Sequence, residues 1–374
     1  MIYNLSPLPS IFHVEHGAIR DVPAILDLHG IAANRVLIVT GQSHSAELAQ
    51  VVSHGLEHAP ETVTIDEHSE AEVARVGAVL DSSRATLLLA IGGGGVVDVA
   101  KRASKLFDVS CLVVPTVVSN DGLMSPISVL RRTEAHSDSL PAAMPIGVIA
   151  DLDVLMAAPR RFLRAAGGDL LSNISATSDW RHVVARGGGP KMNDAAFHLA
   201  RNSAESLVHS ADCDLANPRF VRSLVVAQIY SGIAMTLAGT SRPCSGPEHI
   251  FSHAIDELGL TPDVLHGIQV GSICLFVLHL LGELSPAVIR FGEVMQIPLL
   301  WTELSPNVAR RLPEIVRLTR TVRPDRRTLL DDWSDAALLD RIAEFGAAQR
   351  RGRYRAAAVD RAAQPRPAAA RVRV

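Results

Sequence analysis

The sequence has few of the features that mark secreted, membrane-spanning or nucleic-acid-binding proteins. Its 374 residues include four cysteines with no CxxC spacing, so neither a disulfide framework nor a structural zinc knuckle is expected. The formal net charge of −3 gives no reason to expect nucleic acid or an anionic membrane as a partner. No basic segment followed by an apolar run opens the chain, so no signal peptide is expected. These absences predict a cytoplasmic protein.

Long apolar runs are also scarce. The most apolar segment, residues 267–281, covers about 15 residues and contains Gln269 and His279, so it is too short to cross a bilayer and is predicted to be a buried helix. What the chain does have is a globular composition, with 48% hydrophobic and 20% charged residues. Its length exceeds one ordinary core and suggests about two domains.

The first part of the chain alternates short apolar runs with helix-like stretches. Because the apolar runs are continuous, they predict parallel strands that are covered by helices on both faces. Residues 1–158 are therefore expected to form an α/β domain with a parallel sheet. Strands are predicted at 35–40, 62–66, 85–91, 111–114 and 146–150, and helices at 43–54, 70–82 and 97–107.

The sequence pattern changes after residue 158, where long helix-like segments replace the alternation of strand-like and helix-like segments. Residues 159–348 are predicted to form an all-α domain. Residues 349–374 are rich in Arg, Ala and Pro and are predicted to be a disordered basic tail, with contact to an acidic surface as the alternative. The helices are predicted at 161–180, 194–210, 218–237, 248–258, 267–281 and 286–295.

A run of four glycines follows the strand predicted at 85–91. Gly92 to Gly95 precede a predicted helix, and glycines let a backbone approach a ligand closely. The free N–H groups at a helix start suit a pyrophosphate. The run does not spell the G-x-G-x-x-G of a standard dinucleotide fold. Either a nucleotide site or a tight turn explains it.

Two carboxylates, Asp121 and Asp169, lie where they could bind a ligand. Asp121 lies in a hydroxyl-rich segment, 115–126, that follows a predicted strand, and open α/β sheets bind ligands at the carboxyl ends of their strands. A simple Asn-Asp-Gly turn explains that residue equally well. Asp169 lies in a small, apolar stretch where burial without a partner is unfavourable. A divalent cation would be such a partner, and capping of a helix start is the alternative.

Three histidines complete the set of candidate side chains. His249 and His253 are four residues apart, so they stack on one face if the segment from 248 is helical, and His266 follows a turn. Two stacked imidazoles with a third brought back by a turn make a plausible metal pocket. A polar helix face is the alternative. Cys244 lies near them in the sequence, but proximity alone does not make a thiol a ligand.

These segments together resemble the sn-glycerol-1-phosphate dehydrogenase family. That family belongs to a wider group with glycerol dehydrogenases, iron-containing alcohol dehydrogenases and 3-dehydroquinate synthases. The resemblance implies a dehydroquinate synthase-like fold, with a Rossmann-like nucleotide-binding domain followed by a helical metal- and substrate-binding domain. It also implies a homo-oligomer. It runs from about residue 35 to about 298 and is most specific at 92–101, 115–126, 167–180 and 241–267.

The resemblance also implies roles for particular residues. Asp169, His249 and His266 would bind one divalent metal, with zinc first and nickel or iron as alternatives. Asp121 and His253 would contact the substrate and take part in catalysis, with Asp169 also close to the substrate. The NAD(H) or NADP(H) contacts implied are Gly93, Gly94, Gly95, Val96, Val97, Asp98, Thr116, Val117, Val118, Ser119 and Ser125.

The implied reaction is the reversible reduction of dihydroxyacetone phosphate to sn-glycerol 1-phosphate. His253 is expected to pass a proton, because a histidine pKa near neutrality suits that task. Arg242 is the candidate for the phosphate, with a surface ion pair as its alternative role. The first predicted strand ends in Thr-Gly-Gln, with no acidic residue for an adenosine ribose, so the choice between NAD and NADP stays open.

Three other functions are compatible with these residues. A dehydrogenase of the same fold could act on another polyol or phosphorylated substrate, because a fold does not fix a substrate. A cyclase like dehydroquinate synthase would use NAD catalytically and release phosphate. A catalytically silent scaffold is disfavoured because all three implied metal ligands are present.

Overall fold

A parallel sheet organises the N-terminal part of the chain. The computed structural model describes residues 9–132 and 137–352. Its strands are β1 (Ile11–Glu15), β2 (Val36–Thr40), β3 (Glu61–Thr64), β4 (Leu87–Gly92), β5 (Ser110–Pro115), β6 (Ile127–Arg131), β7 (Ser137–Pro141) and β8 (Gly147–Asp151). Six of them form one sheet in the order β1-β8-β5-β4-β2-β3 with parallel pairing. The remaining two, β6 and β7, form an antiparallel hairpin. The parallel sheet expected from the continuous apolar runs is confirmed.

Helices cover both faces of this sheet. They are α1 (Val22–Leu28), α2 (His44–Gly55), α3 (Glu70–Ser83), α4 (Gly94–Phe107) and α5 (Leu152–Ala157). Along β4, Leu88 and Ala90 join the apolar cluster that contains α3 and α4, whereas Leu87, Leu89 and Ile91 join the cluster that contains α1 and α2. Successive side chains of a strand point to opposite faces. A central strand covered on both sides therefore needs apolar residues at every position, and β4 has them.

The glycine run reaches further into its helix than the sequence pattern suggested. The helix predicted to begin at residue 97 begins at Gly94, with Gly93 as its N-cap. Because Gly94 and Gly95 belong to the first turn, their N–H groups are among those that lack a partner within the helix. The strand β4 and the start of α4 thus form a strand–turn–helix unit that presents backbone donors at the carboxyl edge of the sheet.

The C-terminal part of the described chain is helical. Its helices are α6 (Arg161–Ala185), α7 (Asp194–Val208), α8 (Pro218–Ala238), α9 (Pro247–Glu257), α10 (His266–Leu280), α11 (Pro286–Val294), α12 (Pro306–Arg310), α13 (Leu312–Leu318) and α14 (Asp335–Arg350). The larger apolar cluster runs from the sheet through α6, α8 and α10, so both halves share a core. The tail predicted at 349–374 begins inside α14, and its residues 353–374 lie outside the described part of the chain.

The helices α6 and α10 cross with their backbones in direct contact. A β-carbon added to Gly168 would lie 2.2 Å from the carbonyl oxygen of Gly267, and one added to Gly271 would lie 2.7 Å from the Cα of Gly168. Only glycine permits such an approach, because any side chain would overlap the facing backbone. The crossing brings Asp169 on α6 next to His266, the first residue of α10.

Two helices, α8 and α10, are apolar enough that their burial decides whether they resemble membrane-spanning segments. The helix α10 is buried along nearly all of its length, as predicted for residues 267–281. The helix α8 is long and apolar enough to cross a membrane by length and composition, but 67% of its most apolar window is buried inside the protein. Buried core helices of globular proteins pass the same criterion, and α8 packs in this way between its neighbours.

Candidate active site

A large cleft lies between the carboxyl edge of the sheet and the helical part of the chain. Its volume is about 1950 Å³. The start of α4 lines one wall, through Gly94 and Gly95, and His249 and His266 line the opposite side. Asp121, in the loop after β5, lines the cleft between them. The predicted nucleotide-binding and metal-binding segments therefore open into the same space.

Asp169, His249 and His266 converge at the helical side of this cleft. One ligand atom from each lies within 4.8 Å of the other two. The Asp169 Oδ1 atom is 4.0 Å from the Nε2 atom of each histidine. The midpoint of such a separation is roughly 2 Å from both atoms, which is the length of a Zn–N or Zn–O bond. This geometry suits a small divalent cation with a further position open.

Asp169 is held in place by its helix and by a backbone donor. It lies in the third turn of α6, which begins at Arg161, so the alternative that it caps a helix start is wrong. Its side chain is buried, and its Oδ2 atom accepts a hydrogen bond of 3.1 Å from the backbone N–H of Asp121. The loop after β5 thereby orients the carboxylate, and Oδ1 is left to face the two histidines.

Glu248 fixes the orientation of His249. Its fully buried carboxylate accepts a hydrogen bond from His249 Nδ1 at 3.0 Å and from the Ser175 hydroxyl at 2.7 Å. The proton of His249 is therefore on Nδ1, and the lone pair of Nε2 points towards Asp169. Sequence reasoning gave Glu248 no role, although an acidic residue directly before a predicted ligand is a usable signal. Ser252 lies 3.4 Å from Nδ1 of His266 in the corresponding position.

The electrostatics of the cluster favour a cation. Burial raises the pKa of Asp169 well above its usual range, and the nearby carboxylates of Asp121 and Glu248 raise it further. Burial also raises the pKa of Asp121. Burial and the neighbouring His249 lower the pKa of His266 to about 3. Such a set of carboxylates and neutral imidazoles is unfavourable without a positive charge. The donor set therefore fits a divalent metal.

The predicted cofactor residues divide into two groups. Those that line the cleft are Gly94, Gly95, Asp98 and Ser125. The position of a β-carbon on Gly94 has no heavy atom within 4 Å, so the first turn of α4 is open to a ligand. The others are adjacent in the chain but do not line the cleft: Gly93, Val96, Val97, Thr116, Val117, Val118 and Ser119. Of these, the side chains of Val96, Val97 and Val118 belong to the apolar core.

A buried lysine anchors the loop that carries Asp121. Lys101 on α4 is fully buried, lies 3.3 Å from the Asp98 carboxylate and donates hydrogen bonds to the carbonyls of Gly122, Ser125 and Ile127. Burial raises the pKa of Asp98 to about 6. The nucleotide-side helix and the loop over the metal cluster are thus tied together. Sequence reasoning did not single out Lys101.

The surroundings of His253 differ from the expectation. His253 lines the cleft, and its Nε2 atom lies 3.2 Å from Nη2 of Arg323. Arginine can only donate, so Nε2 is the acceptor and the proton is on Nδ1. Burial and the Arg323 charge lower the pKa of His253 well below its usual range. The premise that His253 has a pKa near neutrality is therefore wrong.

Arg242 lies away from the cleft. Its guanidinium forms a 3.2 Å ion pair with Asp179, and the two side chains are 3% and 0% exposed. Both suggestions from the sequence, a phosphate contact in the cleft and a surface ion pair, are corrected by this burial. Burial raises the pKa of Asp179 to about 7, and its other oxygen accepts a hydrogen bond from the backbone of Leu329. The pair ties α6 to the C-terminal segment.

Solved structures with this fold include glycerol and alcohol dehydrogenases. A probable glycerol dehydrogenase from Sinorhizobium meliloti 1021 superposes with a TM-score of 0.72 at 22% identity, covering 91% of this chain and 98% of that one. The glycerol dehydrogenase of Schizosaccharomyces pombe gives a TM-score of 0.73 at 19% identity, covering 96% and 93%. Residues 13–159 also match the sequence family described as iron-containing alcohol dehydrogenase. The fold is the one shared by these dehydrogenases.

The sequence relatives identify which family of dehydrogenases this chain belongs to. The glycerol-1-phosphate dehydrogenase [NAD(P)+] of Thermococcus sibiricus is 36% identical over 271 residues, covering 71% of this chain and 75% of the relative. That of Methanosarcina acetivorans is 33% identical over 349 residues, covering 90% and 95%. The chain belongs to the glycerol-1-phosphate dehydrogenase family. The resemblance and the fold class derived from the sequence are both confirmed.

Proposed function

We propose that this protein is a metal-dependent NAD(P)H oxidoreductase that reduces dihydroxyacetone phosphate to sn-glycerol 1-phosphate. The observation that carries the proposal is the convergence of Asp169, His249 and His266 on a cleft whose opposite wall is the open N-terminus of α4. The names of the sequence relatives, which specify glycerol-1-phosphate and NAD(P)+, support the substrate and the cofactor.

In this proposal the three converging side chains hold one divalent cation, with zinc first and nickel or iron as alternatives. When bound, the cation would polarise a ketone oxygen and stabilise negative charge that develops on it. Glu248 and the backbone N–H of Asp121 keep the ligands in position before any ion arrives. Such orientation by surrounding hydrogen bonds typically contributes 10- to 100-fold to metal affinity.

The dinucleotide is assigned to the sheet side of the cleft. Its pyrophosphate would lie against the N–H groups at the start of α4, because a helix N-terminus carries a partial positive charge and free donors. The bound dinucleotide would supply the hydride. Gly94 and Gly95 leave the space for it, and the loop held by Lys101 keeps Asp121 beside the reacting centre.

Asp121 and His253 face the substrate in this scheme. Asp121 is fixed by a 2.8 Å hydrogen bond from the Ser231 hydroxyl to its Oδ2 atom. His253 carries its proton on Nδ1, so it can hand that proton to a developing alkoxide while Nε2 takes another from solvent. That transfer requires Arg323 to release Nε2 first.

A steady-state assay with dihydroxyacetone phosphate and each reduced nucleotide, with and without zinc or nickel, tests the proposal. We expect metal-dependent oxidation of NADH or NADPH and a product of the sn-1 configuration. Release of inorganic phosphate with no net nucleotide oxidation would instead indicate a cyclase. Equal turnover of an unrelated polyol would show that the substrate is wrong while the oxidoreductase class is right.

A homo-oligomer, which the family resemblance implies, and a cytoplasmic location, which the scattered cysteines suggest, are also part of the proposal. Light scattering coupled to size-exclusion chromatography measures the assembly directly. A monomer at micromolar concentration would contradict the proposed oligomer but would not bear on the proposed reaction.

A further inference from the structure

Arg323 extends into the cleft from the segment that follows α13. It lines the cleft, and its Nη2 atom donates hydrogen bonds of 3.2 Å to the Ser139 hydroxyl on β7 and to Nε2 of His253 on α9. Its side chain is partly buried. Three separate elements therefore meet at this guanidinium, which positions it firmly on the wall of the cleft.

Within residues 9–132 and 137–352, Arg323 has no carboxylate within ion-pair distance. Three other arginines of the C-terminal segment, Arg311, Arg320 and Arg341, do have one, as in the 3.1 Å pair between Arg320 and Asp335. Burial lowers the pKa of Arg323, because a partly desolvated cation without a counter-charge is unfavourable. An anion in the cleft would supply the missing charge, and guanidinium groups bind phosphate oxygens with good geometry.

A second arginine, Arg326, lies behind the cleft and contacts two of its lining residues. Arg326 donates to the carbonyl and hydroxyl of Ser245 and to the hydroxyl of Ser241, and both serines line the cleft. Burial and the charges of Arg242 and Arg323 lower its pKa to about 10. The carboxylates of Glu248 and Asp179 offset part of this effect, and the remaining positive charge adds to the attraction of Arg323 for an anion.

The residue that Arg323 contacts lies about one helical turn from a member of the cluster formed by Asp169, His249 and His266. His253, the contact of Arg323, follows His249 by four residues on α9, which is about 6 Å along a helix axis. In dihydroxyacetone phosphate, three bonds separate the ketone carbon from the phosphorus. A substrate of this length with its ketone oxygen at that cluster can extend its phosphate along α9 in the direction of Arg323.

We infer that Arg323 binds the phosphate of the substrate and so sets the preference for a phosphorylated ketone over the free triose. This inference rests on the proposed function and adds to it the residue that recognises the phosphate. The position taken from the sequence, Arg242, is excluded by its burial against Asp179, whereas Arg323 has both the exposure to the cleft and the missing counter-charge.

The variant Arg323→Gln tests the inference, with Arg323→Lys as the charge-conserving variant. We expect kcat/KM for dihydroxyacetone phosphate to fall about 10- to 100-fold in Arg323→Gln, mainly through KM, since hydrogen bonds to charged groups have this strength. Turnover of unphosphorylated dihydroxyacetone should fall much less, because only the phosphorylated substrate loses a charged contact. The inhibition constant of inorganic phosphate should rise by a similar factor, and Arg323→Lys should recover part of the loss.

Arg327→Gln is the matched control, because Arg327 lies in the same segment, is exposed and does not line the cleft. It makes the same change of charge and should leave KM for the phosphorylated substrate unchanged. An equal loss in both variants, or an unchanged KM in Arg323→Gln, would overturn the inference. So would an equal loss of activity towards the phosphorylated and free trioses.

Direct binding of inorganic phosphate separates this inference from the proposed function. Phosphate should raise the melting temperature of the wild-type protein and of Arg327→Gln but not that of Arg323→Gln. If the wild type does not reduce dihydroxyacetone phosphate yet shows this pattern, the proposed reaction is wrong and the anion site stands. If the wild type reduces it and Arg323→Gln keeps the phosphate-induced shift, the anion site is wrong.

Discussion

Two histidines on one helix face have different partners. His249 faces Asp169 and is held by Glu248, whereas His253 is held by Arg323. Their four-residue spacing predicted that both side chains point the same way, and spacing alone could not decide which one meets a ligand on another helix. That depends on where α6 and α10 cross. The family resemblance, rather than the spacing, distinguished the two residues.

Substitution of these histidines separates metal binding from other roles. We expect His249→Ala to lose bound zinc and activity together, since the cluster would keep only two of its three side chains. His253→Ala should retain zinc and show reduced turnover. Metal analysis of the purified variants and steady-state kinetics measure both effects. Loss of zinc in His253→Ala with retention in His249→Ala would reverse the assignment.

Glu248 should influence metal affinity without touching the metal. In Glu248→Gln the neutral amide oxygen accepts the Nδ1 proton of His249 less strongly than a carboxylate does. The amide NH₂ group is itself a donor, so it cannot accept a hydrogen bond from the donors around this side chain, which include the backbone N–H of Gly246. We expect zinc affinity to fall about 10- to 100-fold, as for other residues that orient a histidine ligand. Competition with a chromogenic chelator measures it. Glu293→Gln, on the exposed face of α11, is the control and should bind zinc like the wild type.

At the scale of elements, the sequence predicted the strands and helices that have long buried apolar patterns, but it missed the strand β1 and the hairpin of β6 and β7. The strands β2, β4 and β5 and the helices α6 to α11 were predicted within a few residues, because their apolar patterns are long. The edge strand β1 was missed, since only Ile11 and Val14 of its five residues are buried. The hairpin of β6 and β7 was missed as well, and its strands are also little buried: two residues of β6 are buried and none of β7 is.

The contact between α6 and α10 could not be predicted from the sequence, because the positions of glycines within two helices do not show that the helices pack against each other there. We expect Gly168→Ala to destabilise the protein by about 1–3 kcal/mol, since the new β-carbon would meet the Gly267 carbonyl oxygen at 2.2 Å. The same displacement should weaken zinc binding by moving Asp169 away from His266.

Urea unfolding and chelator competition measure these two effects. Gly292→Ala is the matched control, because the nearest atom to its new β-carbon is 4.0 Å away and alanine favours a helix. It should be neutral or slightly stabilising. Equal stability of the two variants would contradict the close helix contact.

At the scale of the whole molecule, metal binding should be visible as stability. A ligand that binds only the folded state stabilises it by about 2.7 kcal/mol when its free concentration is 100 times its Kd. We therefore expect zinc to raise the melting temperature of the metal-free protein and a chelator to reverse the shift. His249→Ala should show no shift. A shift of equal size in that variant would place the zinc elsewhere.

The three converging side chains and the start of α4 belong to different halves of the molecule, and among the hydrogen bonds of residues 9–132 and 137–352 the one from the Asp121 N–H to Asp169 reaches the cluster from the sheet side. All three converging side chains come from helices α6, α9 and α10, and the sheet side reaches the cluster through the N–H of Asp121, whose loop is anchored to α4 by Lys101. A bond of this kind contributes about 0.5–1.5 kcal/mol. Through this bond alone, the ion and the dinucleotide would strengthen each other's binding by at most about tenfold, and thermodynamic linkage makes that effect equal in both directions.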